Sequence, residues 1–260
     1  MQRNAVFADA YRFAEDNVQK TPANWRAQYN WGDVLMKRSR DQEAIAAYEE
    51  SVRLNPDQGS GRVSLGAIYV QRKRYDDAER VLEPATHHPE ESVVAAAQQN
   101  ISGVYLARGD LARAEQAIVR SLQLKPEWTA VRRQLAALYA RQEDWIHAAR
   151  EYNEVLRLNP RLMPQIGKAA AVANFKAGIL FAGDRQFQVA SNLFGNALEY
   201  DPSLWRARGY LAYVSIHLAD WARAERELKQ IEREHPGDPW TAEALERVSN
   251  LLPIVPPPPA

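Results

Sequence analysis

The amino-acid sequence predicts an all-α protein, a solenoid of six helix-turn-helix repeats with an extra helix at each end. The first observation behind this prediction is a 34-residue recurrence of proline, between Pro126 and Pro160 and again between Pro202 and Pro236. The second is that two other positions of the same 34-residue frame hold only small residues in every repeat. Such a pattern is typical of helices that cross at close range and repeat along the chain.

Residues 1–22 are predicted to form a helix in the register of the second helix of a repeat. Pro22 falls on the frame position of the repeat proline, and Ala10 and Phe7 fall on positions 20 and 17. Two interpretations stay open. The segment is either a natural N-terminal helix that packs on the first repeat, or the point at which a domain has been cut from a longer chain.

Repeats one to four are predicted within 23–162, and repeats five and six, after an insertion, within 163–238. Position 20 of the frame is alanine in all six, namely Ala44, Ala78, Ala114, Ala148, Ala190 and Ala224. Position 8 is also small throughout, namely Gly32, Gly66, Ser102, Ala136, Gly178 and Ala212. We expect the two helices of a repeat to cross at positions 8 and 20, where a large side chain would cost roughly 1–3 kcal/mol.

The insertion 163–170 precedes the fifth repeat. Because Pro164 is compatible with a helix's first turn, we expect one helix from about 164 to 182, roughly two turns longer than its counterparts. This extension would be either a protruding contact for a partner or a simple loop.

Residues 239–252 are predicted to form a capping helix, since solenoids need a terminal element whose outer face is exposed to solvent. The tail 253–260 contains five prolines and is predicted to be polyproline II or disordered. It is either a linker or a ligand for an aromatic groove of a partner.

Four tryptophans lie where first helices begin, and they either wedge between repeats or line a binding edge: Trp25, Trp128, Trp205 and Trp240.

The pattern resembles the tetratricopeptide repeat (TPR), and Tyr29-Asn30-Trp31-Gly32 looks like that family's aromatic-Asn-Leu-Gly signature. The resemblance covers about four fifths of the chain. It implies a right-handed solenoid whose first helices line a concave groove. It also implies a protein that binds other proteins and has no enzymatic activity of its own.

The resemblance places groove residues at positions 2, 5, 9 and 12 of the first helices. The predicted partner-binding residues are ten from these positions and two neighbours, namely Arg26, Tyr29, Asp33, Val63, Gln99, Leu106, Arg133, Arg141, Phe175, Ile179, Tyr210 and Tyr213. Chaperone adaptors of the family use Lys and Asn where this chain has Tyr29 and Asp33, so their carboxylate clamp is absent. The groove is apolar with scattered arginines, which marks either a site for a partner's helix or peptide, or a surface covered by the chain itself.

Composition excludes several other classes. Lys and Arg number 33 against 33 Asp and Glu, which argues against nucleic-acid binding. No cysteine is present, and the five histidines lack zinc-binding spacing. We therefore expect no catalytic site, metal or cofactor. No apolar run reaches the roughly 18 residues of a membrane span, so direct membrane insertion is not expected.

The predicted function is a non-enzymatic scaffold or assembly subunit that binds a peptide or helix of another protein. One alternative is the soluble TPR portion of a larger membrane-embedded enzyme such as a glycosyltransferase, because 17–31 is similar to a junction found in such enzymes. A second is a structural subunit that self-associates through its terminal helices. The compartment stays open: cytoplasmic, or periplasmic or lumenal if the chain belongs to a membrane protein.

Overall fold

The structure, a computed structural model, describes residues 2–250 and 252–257, and the side chains from residue 10 onward. Within these residues all regular structure is helical. The α-helices are, in chain order, α1 (Gln2–Lys20), α2 (Trp25–Met36), α3 (Asp41–Leu54), α4 (Gly59–Gln71), α5 (Tyr75–Leu82), α6 (Glu91–Arg108), α7 (Leu111–Leu124), α8 (Thr129–Arg141), α9 (Trp145–Leu158), α10 (Met163–Gly183), α11 (Phe187–Tyr200), α12 (Trp205–His217), α13 (Trp221–Glu234) and α14 (Pro239–Ser249). Short 3-10 turns follow α5 and α9. No described helix has the combination of length and apolar composition that crossing a bilayer requires.

The chain divides into two compact units, Met1–Val131 and Arg132–Ala260, and the division falls inside α8. In the first unit α2 packs on α3, α4 on α5 and α6 on α7, and each hairpin contacts the next. In the second unit α10 packs on α11 and α12 on α13, with α14 against α13. Each unit is therefore a stack of helix hairpins, which confirms the all-α solenoid prediction.

Small residues lie at the close helix crossings, as the frame predicts. All six position-20 alanines are fully buried. In the three repeats with glycine at position 8, the side chain nearest to an added Cβ atom is that of position 24. A Cβ atom on Gly66 would lie 2.4 Å from Leu82, and one on Gly178 would lie 2.6 Å from the Phe194 ring. The large position-24 side chain thus lies directly on the position-8 glycine.

The six hairpins close through one common turn. Position 15 of every repeat has a positive φ between 57° and 77°, at Ser39, Lys73, Gly109, Glu143, Arg185 and Ala219. The N–H of the following residue donates to the carbonyl five residues earlier, at 2.8–3.0 Å in all six. This is the Schellman arrangement that ends a helix by satisfying its last carbonyls. Only the third repeat uses glycine there, so the turn is set by the hairpin and not by residue preference.

The N-terminal helix α1 packs on the first repeat, where the Tyr11 and Trp31 ring centroids lie 5.0 Å apart. Its outer face is uncovered: Phe13 is 75% exposed. Ala10 is also exposed, unlike the buried position-20 alanines. Phe7, assigned to position 17, lies outside the described side chains.

The insertion forms the start of α10, with Pro164 in the first turn. The helix runs for 21 residues to Gly183. Its added turns pack against the second unit. Ile166 is buried, and a Cβ atom on Gly167 would lie 3.2 Å from the Tyr200 carbonyl oxygen at the end of α11. A simple loop at 163–170 is therefore wrong.

Candidate partner-binding surface

The predicted binding residues all lie on the first helices of the hairpins, a surface that we call the first-helix face. In the first unit they are Arg26, Tyr29 and Asp33 on α2, Val63 on α4, and Gln99 and Leu106 on α6. In the second unit they are Arg133 and Arg141 on α8, Phe175 and Ile179 on α10, and Tyr210 and Tyr213 on α12. Each of the two units contributes its own part of this surface.

In the first unit a cleft of about 470 Å³ lies between the starts of α2 and α4 and the segment before α6. Arg26 and Tyr29 line it together with Trp25 and Ser60. The guanidinium of exposed Arg26 lies over the Trp25 ring, 4.4 Å from its centroid. The structure therefore gathers two predicted residues and one edge tryptophan into a cleft that offers a cation and an aromatic face.

His88 closes the far side of this cleft in a defined tautomer. Its Nδ1 accepts a hydrogen bond from the Glu90 N–H at 3.1 Å, so Nδ1 carries no proton. Its Nε2 lies 3.1 Å from the Asp57 carbonyl oxygen, which accepts only from a protonated Nε2. The imidazole therefore holds two backbone segments together. Among the described residues, no three His, Cys, Asp or Glu side chains are placed to hold a metal ion.

Asp33 is engaged inside the hairpin. The Tyr48 hydroxyl donates to Asp33 Oδ1 at 2.5 Å, and the Tyr29 ring lies 5.6 Å from the Tyr48 ring. Burial, followed by the bond to the Asp33 carboxylate, raises the pKa of the Tyr48 phenol above its ordinary value. Asp33 therefore fixes the Tyr29–Tyr48 pair and has only part of its acceptor capacity left for a ligand.

The second unit presents an apolar stripe supported by aromatic rings. The Phe175 ring lies 5.5 Å from Tyr210 and 6.0 Å from fully buried Phe194. Tyr210 is itself buried, so it supports Phe175 from beneath and exposes little surface. Val172, Phe175 and Ile179 follow one another at helical spacing on one face of α10. We call these three residues the α10 stripe.

Two exposed cations of the second unit lie on α8, Arg133 and Arg141. Arg133 opposes the effect of burial on Tyr152, whose pKa is nevertheless raised because burial is the larger cause. The neighbouring Arg132 has a structural role, since its Nη1 donates to Glu151 Oε2 at 2.5 Å and Glu151 is buried. Arg133 and Arg141 therefore differ from Arg132 in being directed to solvent.

Two predicted groove positions outside the twelve selected residues, Val172 and Gly209, also contribute to the surface, together with Trp240. Val172 occupies position 2 of the fifth repeat and is 40% exposed. Gly209 and Trp240 contact the chain's own tail. The clustering of tryptophans at first-helix starts was the available signal for Trp240, whereas no feature of the sequence indicates its contact.

A family model described as tetratricopeptide repeat matches residues 35–101 and 181–247, more than half of the chain. A second model with the same description matches residues 8–59. The chain belongs to the tetratricopeptide-repeat family. The TPR fold is that of a protein–protein interaction scaffold, and such repeats are generally non-enzymatic modules. No functionally curated protein matches the sequence.

Solved structures share the fold at low identity. The C-terminal part of a TPR repeat-containing protein from Cytophaga hutchinsonii is 16% identical with a TM-score of 0.57, over 94% of this chain and 96% of that one. YrrB, described as a TPR protein with an unusual peptide-binding site, is 17% identical with a TM-score of 0.55, over 79% and 97%. A chain of the APC/C hetero-tetramer Cut9–Hcn1 is 14% identical with a TM-score of 0.53, over 93% and 46%. This TPR chain therefore spans less than half the length of that last structure.

Proposed function

We propose that this TPR protein is an adaptor or assembly subunit that holds a helix or extended peptide of a partner protein against its first-helix face. The observation that carries the proposal is the α10 stripe, three apolar side chains in a row that keep part of their surface in solvent. The other two functions, a portion of a membrane enzyme and a self-assembling subunit, stay predictions.

The α10 stripe has the properties of a pre-organised binding surface. Phe175 is held by Phe194 and Tyr210, so little side-chain freedom remains to be lost when a ligand binds. When a partner covers the exposed part of this apolar row, binding is favoured by about 25 cal/mol for each Å² of apolar surface removed from water. A partner that repeats apolar residues at helical or extended spacing would match it.

The charge around the stripe indicates which flanking residues the partner carries. Arg133 and Arg141 lie on the preceding first helix of the same unit, and both are exposed. Apolar anchors flanked by Asp or Glu would therefore be favoured over anchors flanked by Lys or Arg. The peptide-binding site that the description of YrrB reports is consistent with peptide recognition on a TPR scaffold.

A matched pair of substitutions tests this proposal. Val172 on α10 and Val189 on α11 are both 40% exposed, but only Val172 lies on a first helix. Affinity capture from cells that express the protein, followed by mass spectrometry, should lose the partner with Val172→Asp and keep it with Val189→Asp. Equal retention by the two folded variants would contradict the proposal, as would loss with Val189→Asp alone.

A further inference from the structure

The described part of the tail, residues 252–257, does not leave the second unit but crosses α12 and α14. The indole Nε1–H of Trp240 donates to the Val255 carbonyl oxygen at 3.3 Å. The Nε–H of Arg247 donates to the Pro253 carbonyl oxygen at 2.6 Å. Two side chains of α14 therefore hold the backbone of the tail at two carbonyls.

The tail buries one side chain in three. Ile254 is 6% exposed and belongs to the buried cluster of α12, α13 and α14, and Pro257 is also buried. Val255, between them, is 63% exposed, and Pro256 is exposed as well. A period of three residues is that of the polyproline II helix, which turns one residue in three toward the same side. The sequence predicted polyproline II or disorder for this segment, and the spacing of its two buried residues is that of polyproline II.

Gly209 provides the floor on which Pro257 lies. A Cβ atom on Gly209 would be 3.2 Å from Pro257 Cγ and 3.2 Å from Trp240 Cζ3. Glycine inside a helix is less favourable than alanine. At this position the missing side chain leaves room for a proline ring between the α12 backbone and the indole.

We propose that the cleft between α12 and α14 is a recognition site for a proline-rich segment in polyproline II conformation, and that the chain's own tail is its resident ligand. The site takes an aliphatic residue followed three positions later by a proline. Its chemistry suits this ligand, because prolines have no N–H to satisfy, while the carbonyls of Val255 and Pro253 accept from the indole and the guanidinium. A pre-formed polyproline II segment also loses little conformational freedom on docking.

This site overlaps the first-helix face at α12 and is separate from the α10 stripe that carries the proposed function. Gly209 occupies position 5 of the sixth repeat, so the tail covers the end of the first-helix face at α12. The α10 stripe lies on a different helix from Gly209, Trp240 and Arg247, which contact the tail. Failure of one proposal therefore leaves the other standing.

The first experiment separates the site from its resident ligand. A variant that ends at Asn250 is titrated with a labelled synthetic peptide of residues 251–260, and binding is followed by fluorescence anisotropy. A peptide with Ile254→Asp and Pro257→Asp is the control. The shortened protein should bind the natural peptide and not the control. The full-length protein should bind it about tenfold more weakly, because the tethered tail competes at a high effective concentration. Equal affinity for the full-length and shortened proteins, or for the two peptides, would overturn the proposal.

The second experiment uses the full-length protein and does not depend on the folding of the shortened one. Gly209→Ala crowds Pro257, whereas Gly195→Ala in α11 adds a methyl group where nothing lies within 4 Å. Both substitutions favour the helix, because alanine has a higher helix propensity than glycine. The ¹⁵N heteronuclear NOE values of the Ile254 and Val255 amides should match those of the helices in the unchanged protein and in Gly195→Ala, and should fall in Gly209→Ala. Low values in the unchanged protein, or no fall in Gly209→Ala, would refute tail docking.

Discussion

Replacing Gly178 by alanine tests how closely the helices of one hairpin cross. The added Cβ atom would lie 2.6 Å from Phe194 Cε1 and 2.9 Å from Cδ1. Phe194 is fully buried, and the rings of Phe175 and Tyr210 lie against it, so it cannot turn away without moving them. The expected cost of this overpacking is about 1–3 kcal/mol. It is partly offset by the helix propensity of alanine, which is up to about 1 kcal/mol better than that of glycine.

Gly195→Ala is the control, because it gains the same propensity and meets nothing within 4 Å. Urea denaturation followed by circular dichroism should therefore show Gly178→Ala less stable than Gly195→Ala by about 1–3 kcal/mol. Phe194→Leu should cost less in the Gly178→Ala background than in the unchanged protein, since the smaller side chain relieves the clash. Equal stability of the two alanine variants would refute the reasoning that position 24 fills the space above the position-8 glycine.

Two further predictions concern the turns and the buried tyrosines. Ala219→Gly should raise the free energy of unfolding by about 1 kcal/mol, because Ala219 has φ 58° and only glycine adopts that region without strain. The same change at exposed mid-helix Ala137 should lower it by about 1 kcal/mol, and a loss in both variants would contradict the strained turn. Burial raises the pKa of the Tyr48 phenol, so its contribution to stability is full below the unfolded pKa of about 10 and is lost as pH rises through the folded pKa. Above pH 10, the free energy of unfolding measured in urea should therefore fall faster with rising pH in the unchanged protein than in Tyr48→Phe. Identical pH profiles of the two proteins would disprove this prediction.

The repeat architecture could be predicted from the sequence because close helix crossings admit only small residues, which are visible in the sequence. A fully buried alanine such as Ala44 or Ala190 leaves no alternative at a close crossing. The prolines mark second-helix ends for a local reason, since the residue before proline avoids the helical region. For example, α3 ends at Leu54, two residues before Pro56. Local rules of this kind need no tertiary information.

The turns and the tail could not be predicted in this way. Lys73 and Glu143 adopt positive φ although neither residue favours it, because the return of the chain into the next helix requires the turn. The tail composition favours a solvated segment. Its docking depends on Gly209 and Trp240, which α12 and α14 bring together only after folding.

For the binding surface, the register predicted the helix and its face but not the exposure of each side chain. Tyr210 was expected to be a contact residue, yet the structure buries it beneath Phe175. Asp33 was expected in the groove, and the bond from Tyr48 uses part of its acceptor capacity. These differences arise from packing between side chains of different helices, which spacing along one helix does not specify. The use of the predicted residues by a partner stays a prediction.

Site-specific photo-crosslinking tests the central claim most directly. A benzophenone amino acid is placed at Val172 on the first-helix face or at equally exposed Val189 on α11, and the protein is irradiated in the cells that make it. We expect crosslinks to one partner protein from position 172, mapped by mass spectrometry to a single helical or extended segment with apolar anchors and acidic flanks. Crosslinks to that partner from position 189 and none from position 172 would contradict the claim that the first helices carry the binding surface.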